Sequence, residues 1–168
     1  MSKFKRILVP TDFSAASELA LAYAADLATG QASSIHLLHV IDNGKRLSTH
    51  RDVFSLESLR VRAKMIDAAR ERVRESASRH AAAGLTITID IVAGRPAHVI
   101  IDQAIARGTD LIVMGTHGRT GVAHLVLGSV AERVVRLAPC PVLTVRDTSR
   151  VADNLAASLR SELTEALL

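Results

Sequence analysis

The stretch GTHGRTGVAHLVLGS, Gly115 to Ser129, carries four glycines, two histidines and an arginine. Glycine tolerates positive φ and lets backbone N–H groups approach a ligand with no Cβ in the way. The run SVAERVVRL that follows the last glycine reads as a helix, and Ser129 with Glu132 has the spacing of a capping box. A helix N-terminus beside such a loop favours an anion such as a phosphate, and Arg119, His117 and His124 add positive charge. The loop is not a Walker A motif, because no Gly-Lys-Ser/Thr is present. Nor is it a dinucleotide G-x-G-x-x-G, because Gly115 and Gly118 are three apart. Glycine-rich connections also serve as plain turns, so the chemistry depends on where the fold places this one. A second candidate is Pro10-Thr11-Asp12, directly after an apolar run. Asp12 is placed to touch a ligand or to cap the helix predicted over FSAASELA, and the two roles are compatible. His36 and His39 lie three apart on a predicted strand and so face opposite ways. No histidine pair shows metal-ligand spacing, and no structural metal is expected.

What must position these residues is an alternation of apolar runs and helical periodicities. Strands are predicted over 6–10, 34–40, 85–92, 110–115 and 141–146. The first helix puts Ala16, Ala20, Tyr23, Ala24 and Leu27 on one stripe and stops at Gly30. After a polar loop over 42–55, long enough to be a lid or variable insertion, a helix runs from Leu56 to Ala83. Its apolar positions are Leu56, Leu59, Ala63, Ile66, Val73 and Ala77. GRPAHVIIDQAIARG supplies a turn and a short helix with Ile100, Ile101, Ala104 and Ile105 inward.

The resulting βαβαβαβαβ pattern predicts parallel strands joined by right-handed crossovers. The apolar strands 6–10 and 110–115 belong in the middle, and strand 85–92, which alternates apolar with polar, belongs outside. This gives a doubly wound, Rossmann-like five-stranded α/β sheet of order 3-2-1-4-5 with helices on both faces. In such sheets ligands bind beyond the carboxyl ends of the strands flanking the reversal of direction. Those ends are Pro10-Thr11-Asp12 and the glycine loop from Gly115.

With these residues in view, VPTDFS after the first strand and DLIVMGTHGRTGVAHLVLGSVAERVVRLAPCPVLTVR at the end resemble the universal stress protein family. The pattern G-x2-G-x9-G-S at Gly115, Gly118, Gly128 and Ser129 resembles that of the family's ATP-binding members. The resemblance spans about residues 3–146 and implies the same strand order, a homodimer and bound ATP, which Mg2+ can accompany. It further implies that Pro10 and Thr11 line an adenine pocket, that Asp12 accepts hydrogen bonds from ribose or adenine, and that the backbone of Val40 meets the base. Met114 and Gly115 would lie near the ribose, with the Gly94-Arg95-Pro96 turn approaching the same side. His117, Gly118, Gly128, Ser129 and Val130 would hold the phosphates.

The expected function is a nucleotide-dependent stress-response module with at most slow ATP hydrolysis. The loop contains no Asp or Glu, and Asp12 is the one carboxylate evident near the pocket. The alternatives are a true ATP-using enzyme of the same sheet class, a hydrolase or a nucleotidyl-transfer type, and a structural stress protein with an empty pocket.

Composition bounds the rest. Aromatics are 2% with no Trp, which argues against nucleic-acid binding by base stacking. The net charge is +4, and the densest basic cluster is interleaved with Asp67, Glu71 and Glu75 as on a solvated helix face. One cysteine, no membrane-length apolar run and no signal-like N-terminus point to a cytoplasmic protein. Strand 141–146 is a short apolar edge, the expected site of an isologous dimer, where a proline at Leu143 would remove a ladder donor. Residues 1–146 form the domain, and 147–168 read as an amphipathic helical tail with Ala152, Leu155, Ala156, Leu159, Leu163 and Ala166 on one stripe. The tail is expected to extend the dimer interface.

Overall fold

Among the described residues nine elements follow one another in the alternating order that the sequence predicts. They are β1 (Arg6–Thr11), α1 (Ala15–Ala28), β2 (Ser34–Asp42), α2 (Leu56–Arg79), β3 (Thr86–Gly94), α3 (Pro96–Ala106), β4 (Leu111–Gly115), α4 (Ser129–Leu137) and β5 (Val142–Val145). The computed structural model describes residues 4–30, 32–42, 56–81, 85–116 and 127–147. Apart from Asp42 and Asp147, the lid candidate at 42–55 and the tail at 147–168 lie outside them.

The strands form one sheet in the order β3-β2-β1-β4-β5, every adjacent pair parallel. Odd positions of β1 and β4, including Ile7, Val9, Leu111 and Val113, face α1 and α2. Even positions, including Leu8, Ile112 and Met114, face α3 and α4. Burial on both faces is why these central strands read as unbroken apolar runs. On β3, Ile87, Ile89 and Ile91 pack against the α1–α2 core, as the alternation predicts. Thr88 and Asp90 turn to the other face, where Asp90 pairs with Arg107 and lies 3.5 Å from His36 Nε2.

Four details differ from the sequence reading. Tyr23 is 50% and Leu27 39% exposed, whereas Ser17, Leu21, Ala25 and Ala28 join Ala16, Ala20 and Ala24 in contact with the sheet. Small residues win that face because α1 must approach β4 closely, and the larger side chains are displaced to its flank. Ile105 is likewise exposed at 62%, at the end of α3 where the helix leaves the sheet. Ala63 is exposed on α2, which ends at Arg79 rather than Ala83.

The fourth difference concerns β5. The carbonyls of Pro141 and Val145 accept from Ile112 N of β4 and from Thr116 N just after it. By the two-residue alternation of a parallel ladder, Leu143 also bonds inward, and Val142 and Thr144 present the outward groups. A proline at Leu143 would therefore break the β4–β5 ladder; Thr144 is the position that tests the edge.

Candidate functional site

The turn after β1 is built by its own side chains. Ser14 caps α1, accepting from Ser17 N at 3.3 Å, and Asp12 Oδ1 accepts from Ser14 N at 3.1 Å. Thr11 Oγ1 lies 3.2 Å from Ser17 Oγ and accepts from Phe13 N at 3.1 Å. The helix-capping role foreseen for Asp12 thus falls to Ser14, with Asp12 holding the cap residue in place. Between them Phe13 takes φ +64°, a conformation that costs a bulky L residue energy and recurs at binding sites. Its ring is held by the His39 ring at 4.4 Å and by the Arg72 guanidinium 4.1 Å above it. His39 Nδ1 lies 2.8 Å from the Thr11 carbonyl, which can only accept, so Nδ1–H donates there. His36, on the opposite face as predicted, has Nδ1 3.1 Å from Thr88 Oγ1.

The other side of the site is set by two close approaches. A Cβ on Gly115 would lie 2.9 Å from Ala16 Cβ and 3.0 Å from the Ala16 carbonyl carbon. Glycine is required here so that the end of β4 can pass the first turn of α1. After the loop, Gly128 N donates to Thr116 O at 2.8 Å, which joins the two ends of the glycine segment. Gly128, not Ser129, is the α4 cap residue and makes no side-chain cap bond, so the capping-box reading is not realised. Ser129 is the first helical residue, and the first free amides of α4 begin there, because the Gly128 N–H is committed to Thr116.

Between these walls lies a cavity of about 240 Å3 at the carboxyl ends of β1, β2 and β4, on the α3–α4 face. Nine predicted residues line it: Pro10, Thr11, Asp12, Val40, Met114, Gly115, Gly128, Ser129 and Val130. His117, Gly118 and Arg119 fall outside the described residues. Gly94 does not line the cavity; a Cβ there would lie 2.6 Å from Val99 Cγ2, so it serves the packing of α3. Leu38, Ile100 and Ala131 add apolar wall, and Pro96 brings in the N-terminal end of α3. The N-terminal ends of α1, α3 and α4 therefore converge on one space, an arrangement whose summed dipoles favour negative charge. The volume is just under the range of about 300–1,000 Å3 common for ligand pockets.

Asp42 also lines the cavity, so Asp12 is not its sole carboxylate. The sequence reading ended β2 at Val40 with the last apolar residue, but β2 continues to Asp42, opposite Gly94 of β3. Strand alternation from Leu38 and Val40 was the signal that could have placed Asp42 on the same face. No cluster of three or more potential metal ligands occurs among the described residues. No helix among them is long and apolar enough to cross a membrane.

Comparison with known proteins converges on one group. The model of the universal stress protein family matches residues 3–146. Universal stress protein MJ0577 of Methanocaldococcus jannaschii is 34% identical, with 85% of this chain and 95% of that protein covered. Universal stress protein YxiE of Bacillus subtilis is 34% identical over 85% of this chain and 99% of its own length. The solved structure of MJ0577 superposes with a TM-score of 0.75 at 33% identity, covering 87% of this chain and 98% of that one. That of UspA from Lactobacillus plantarum gives 0.70 at 28%, covering 87% and 100%. A universal stress protein solved in complex with cAMP shares the fold at 23% identity and a TM-score of 0.61, covering 85% of this chain and 97% of that one.

Proposed function

Because the chain belongs to the universal stress protein family, we propose that it binds ATP in the cavity at the ends of β1, β2 and β4 and acts as a nucleotide-dependent stress-response module. The observation that carries this reading is the division of the cavity into two chemically different halves. The half at the ends of β1 and β2 combines Pro10, Leu38 and Val40 with the carboxylates of Asp12 and Asp42. It suits an apolar base and hydroxyl or amine donors, and its carboxylates would repel a phosphate. The half at Ser129, Val130 and Ala131 offers free helix-N-terminal amides, which suit phosphate oxygens. A nucleotide entering this space has one favourable orientation. In it Asp12 accepts from ribose or adenine, Val40 meets the base, and Met114 and Gly115 flank the ribose; the family resemblance would add His117, Gly118 and Arg119, outside the described residues, as phosphate ligands. Mg2+ would accompany the phosphates. The occurrence of a cAMP complex in a protein of this fold supports the nucleotide class without selecting the triphosphate.

The test is to denature the purified full chain, identify any released nucleotide by mass spectrometry, and titrate the stripped protein with ATP by calorimetry. One ATP per chain is expected, weakened at least tenfold by Val130→Glu, which sets a carboxylate against the phosphates. Absence of binding at millimolar ATP would overturn the reading and leave the structural-protein alternative.

Asp42 lines the same cavity as Asp12, and two carboxylates on one cavity favour a second reading, an ATP-using enzyme in which they would serve a metal. Multiple rapid turnovers would support it; stoichiometric binding without turnover supports the module. We also propose a cytoplasmic homodimer through strand 141–146, whose outward groups at Val142 and Thr144 can pair with a second copy. Thr144→Pro is then expected to shift the mass measured by light scattering from dimer to monomer, and an unchanged dimer would refute this interface.

A further inference from the structure

α1 carries an apolar stripe that the sheet does not use. Leu19, Tyr23 and Leu27 are 37%, 50% and 39% exposed, and their spacing of four puts them on one line. The opposite flank is fixed by Glu18, which accepts from Ser76 and Arg79 of α2. At 100° per residue Tyr23 stands about 140° around the helix from Glu18, so the stripe turns away from α2. On that side α1 reaches β5. Leu143, 39% exposed, belongs to the same surface: it lies opposite Val113 in register, and both Val113 and Val145 face the α1 side. Among the described residues α1 and α2 are the helices on this face, and β5 lies at the edge of the sheet. Within that same set, these four side chains keep more than a third of their surface uncovered.

The chain itself contains a matching segment. The family match ends at residue 146, at the end of β5, yet the chain continues to residue 168. In that extension Leu155, Leu159 and Leu163 repeat the spacing of Leu19, Tyr23 and Leu27, flanked by Ala152, Ala156 and Ala166. A helix over 152–166 would be about 22 Å long at 1.5 Å per residue, close to the length of α1. Direction agrees as well. β5 delivers the chain at the end of the sheet where α1 begins, so a helix descending from there runs parallel to α1 and presents its leucines in the same sequence.

We propose that residues 148–168 fold as a helix onto the α1 flank and β5 of their own chain, with Leu155, Leu159 and Leu163 against Leu19, Tyr23, Leu27 and Leu143. A short tether favours the chain's own tail over that of a second molecule, because it holds the segment at high effective concentration. This placement uses the face of β5 and leaves its outward hydrogen-bonding edge available. It is independent of nucleotide binding.

The test is disulfide trapping in the full chain with Cys140→Ala, pairing Tyr23→Cys with Leu155→Cys, Leu159→Cys or Leu163→Cys in turn. An intrachain disulfide in at least one pair, running at monomer mass on a non-reducing gel, is the expected result. Only interchain disulfides, or none in any pair, overturn the proposal. Hydrogen exchange provides a second readout that needs no cysteine: Leu155→Lys with Leu159→Lys and Leu163→Lys should speed exchange of the amides over 19–28 at least tenfold. Unchanged exchange there would also overturn it.

Discussion

Gly115→Ala isolates a packing requirement inside the candidate site. The new methyl would lie 2.9 Å from Ala16 Cβ, 3.0 Å from the Ala16 carbonyl carbon and 3.2 Å from Ser17 N. Two of these three atoms are backbone, so no side-chain rotation relieves the contact. The first turn of α1 or the end of β4 must move instead. Overpacking of this kind costs about 1–3 kcal/mol. At about 2–4 °C per kcal/mol for a chain of this size, the melting temperature should fall by about 2–12 °C. Urea or thermal denaturation of the wild type, Gly115→Ala, Ala16→Gly and the double variant gives a closed cycle. Ala16→Gly alone costs up to about 1 kcal/mol through helix propensity. In the double variant the Cβ–Cβ clash is gone, so the cycle should show a favourable coupling of at least about 0.5 kcal/mol. A Gly115→Ala loss below about 0.5 kcal/mol, or an additive cycle, would refute the argument that this glycine exists for the α1–β4 approach. Asp12 and Ser17 ride on the same turn and line the cavity, so ligand affinity should weaken although no ligand contact has been removed.

Two further outcomes follow from local chemistry. Burial, reinforced by the Arg107 charge, holds the His36 imidazole below its ordinary value of 6.5, against the opposing pull of Asp90. The unfolded chain therefore binds the His36 proton first as pH falls, and stability declines below about pH 6.5 until the folded-state ring protonates as well. Melting curves between pH 7.5 and 5 should fall more steeply for the wild type than for His36→Gln, and parallel curves would contradict this. Ser14→Ala removes the cap of α1 and should cost about 1 kcal/mol in urea denaturation, with Ser14→Gly milder because glycine itself suits the cap position; unchanged stability in Ser14→Ala would show that the hydroxyl is not the stabilising group.

The polarity of individual strands carried most of the topology. The apolar character of β4 and the alternation in β3 determine which strand is central and which is lateral, and the structure has that order. Nine of the thirteen predicted site residues line one cavity, because the reversal point of a doubly wound sheet localises a site without reference to side-chain identity. Less legible were features set by distance rather than by pattern. Tyr23 and Leu27 fit the apolar periodicity of α1, but the close approach at Gly115 gives the contact face to alanines. Asp42 was missed because a polar residue ending an apolar strand looks like loop. The S-x-x-E spacing predicts a cap at Ser129, but with Gly128 bonded to Thr116 the helix starts one residue earlier in register.

That bond from Gly128 to Thr116 has a consequence for how such a site can diversify. The bond sets the end of β4 against the start of α4 through main-chain atoms, not through the residues that link them. For a flexible connection the cost of closure grows by only about 0.6 kcal/mol with each doubling of length. Selection can thus retune what the cleft recognises while the framework beneath stays unaltered.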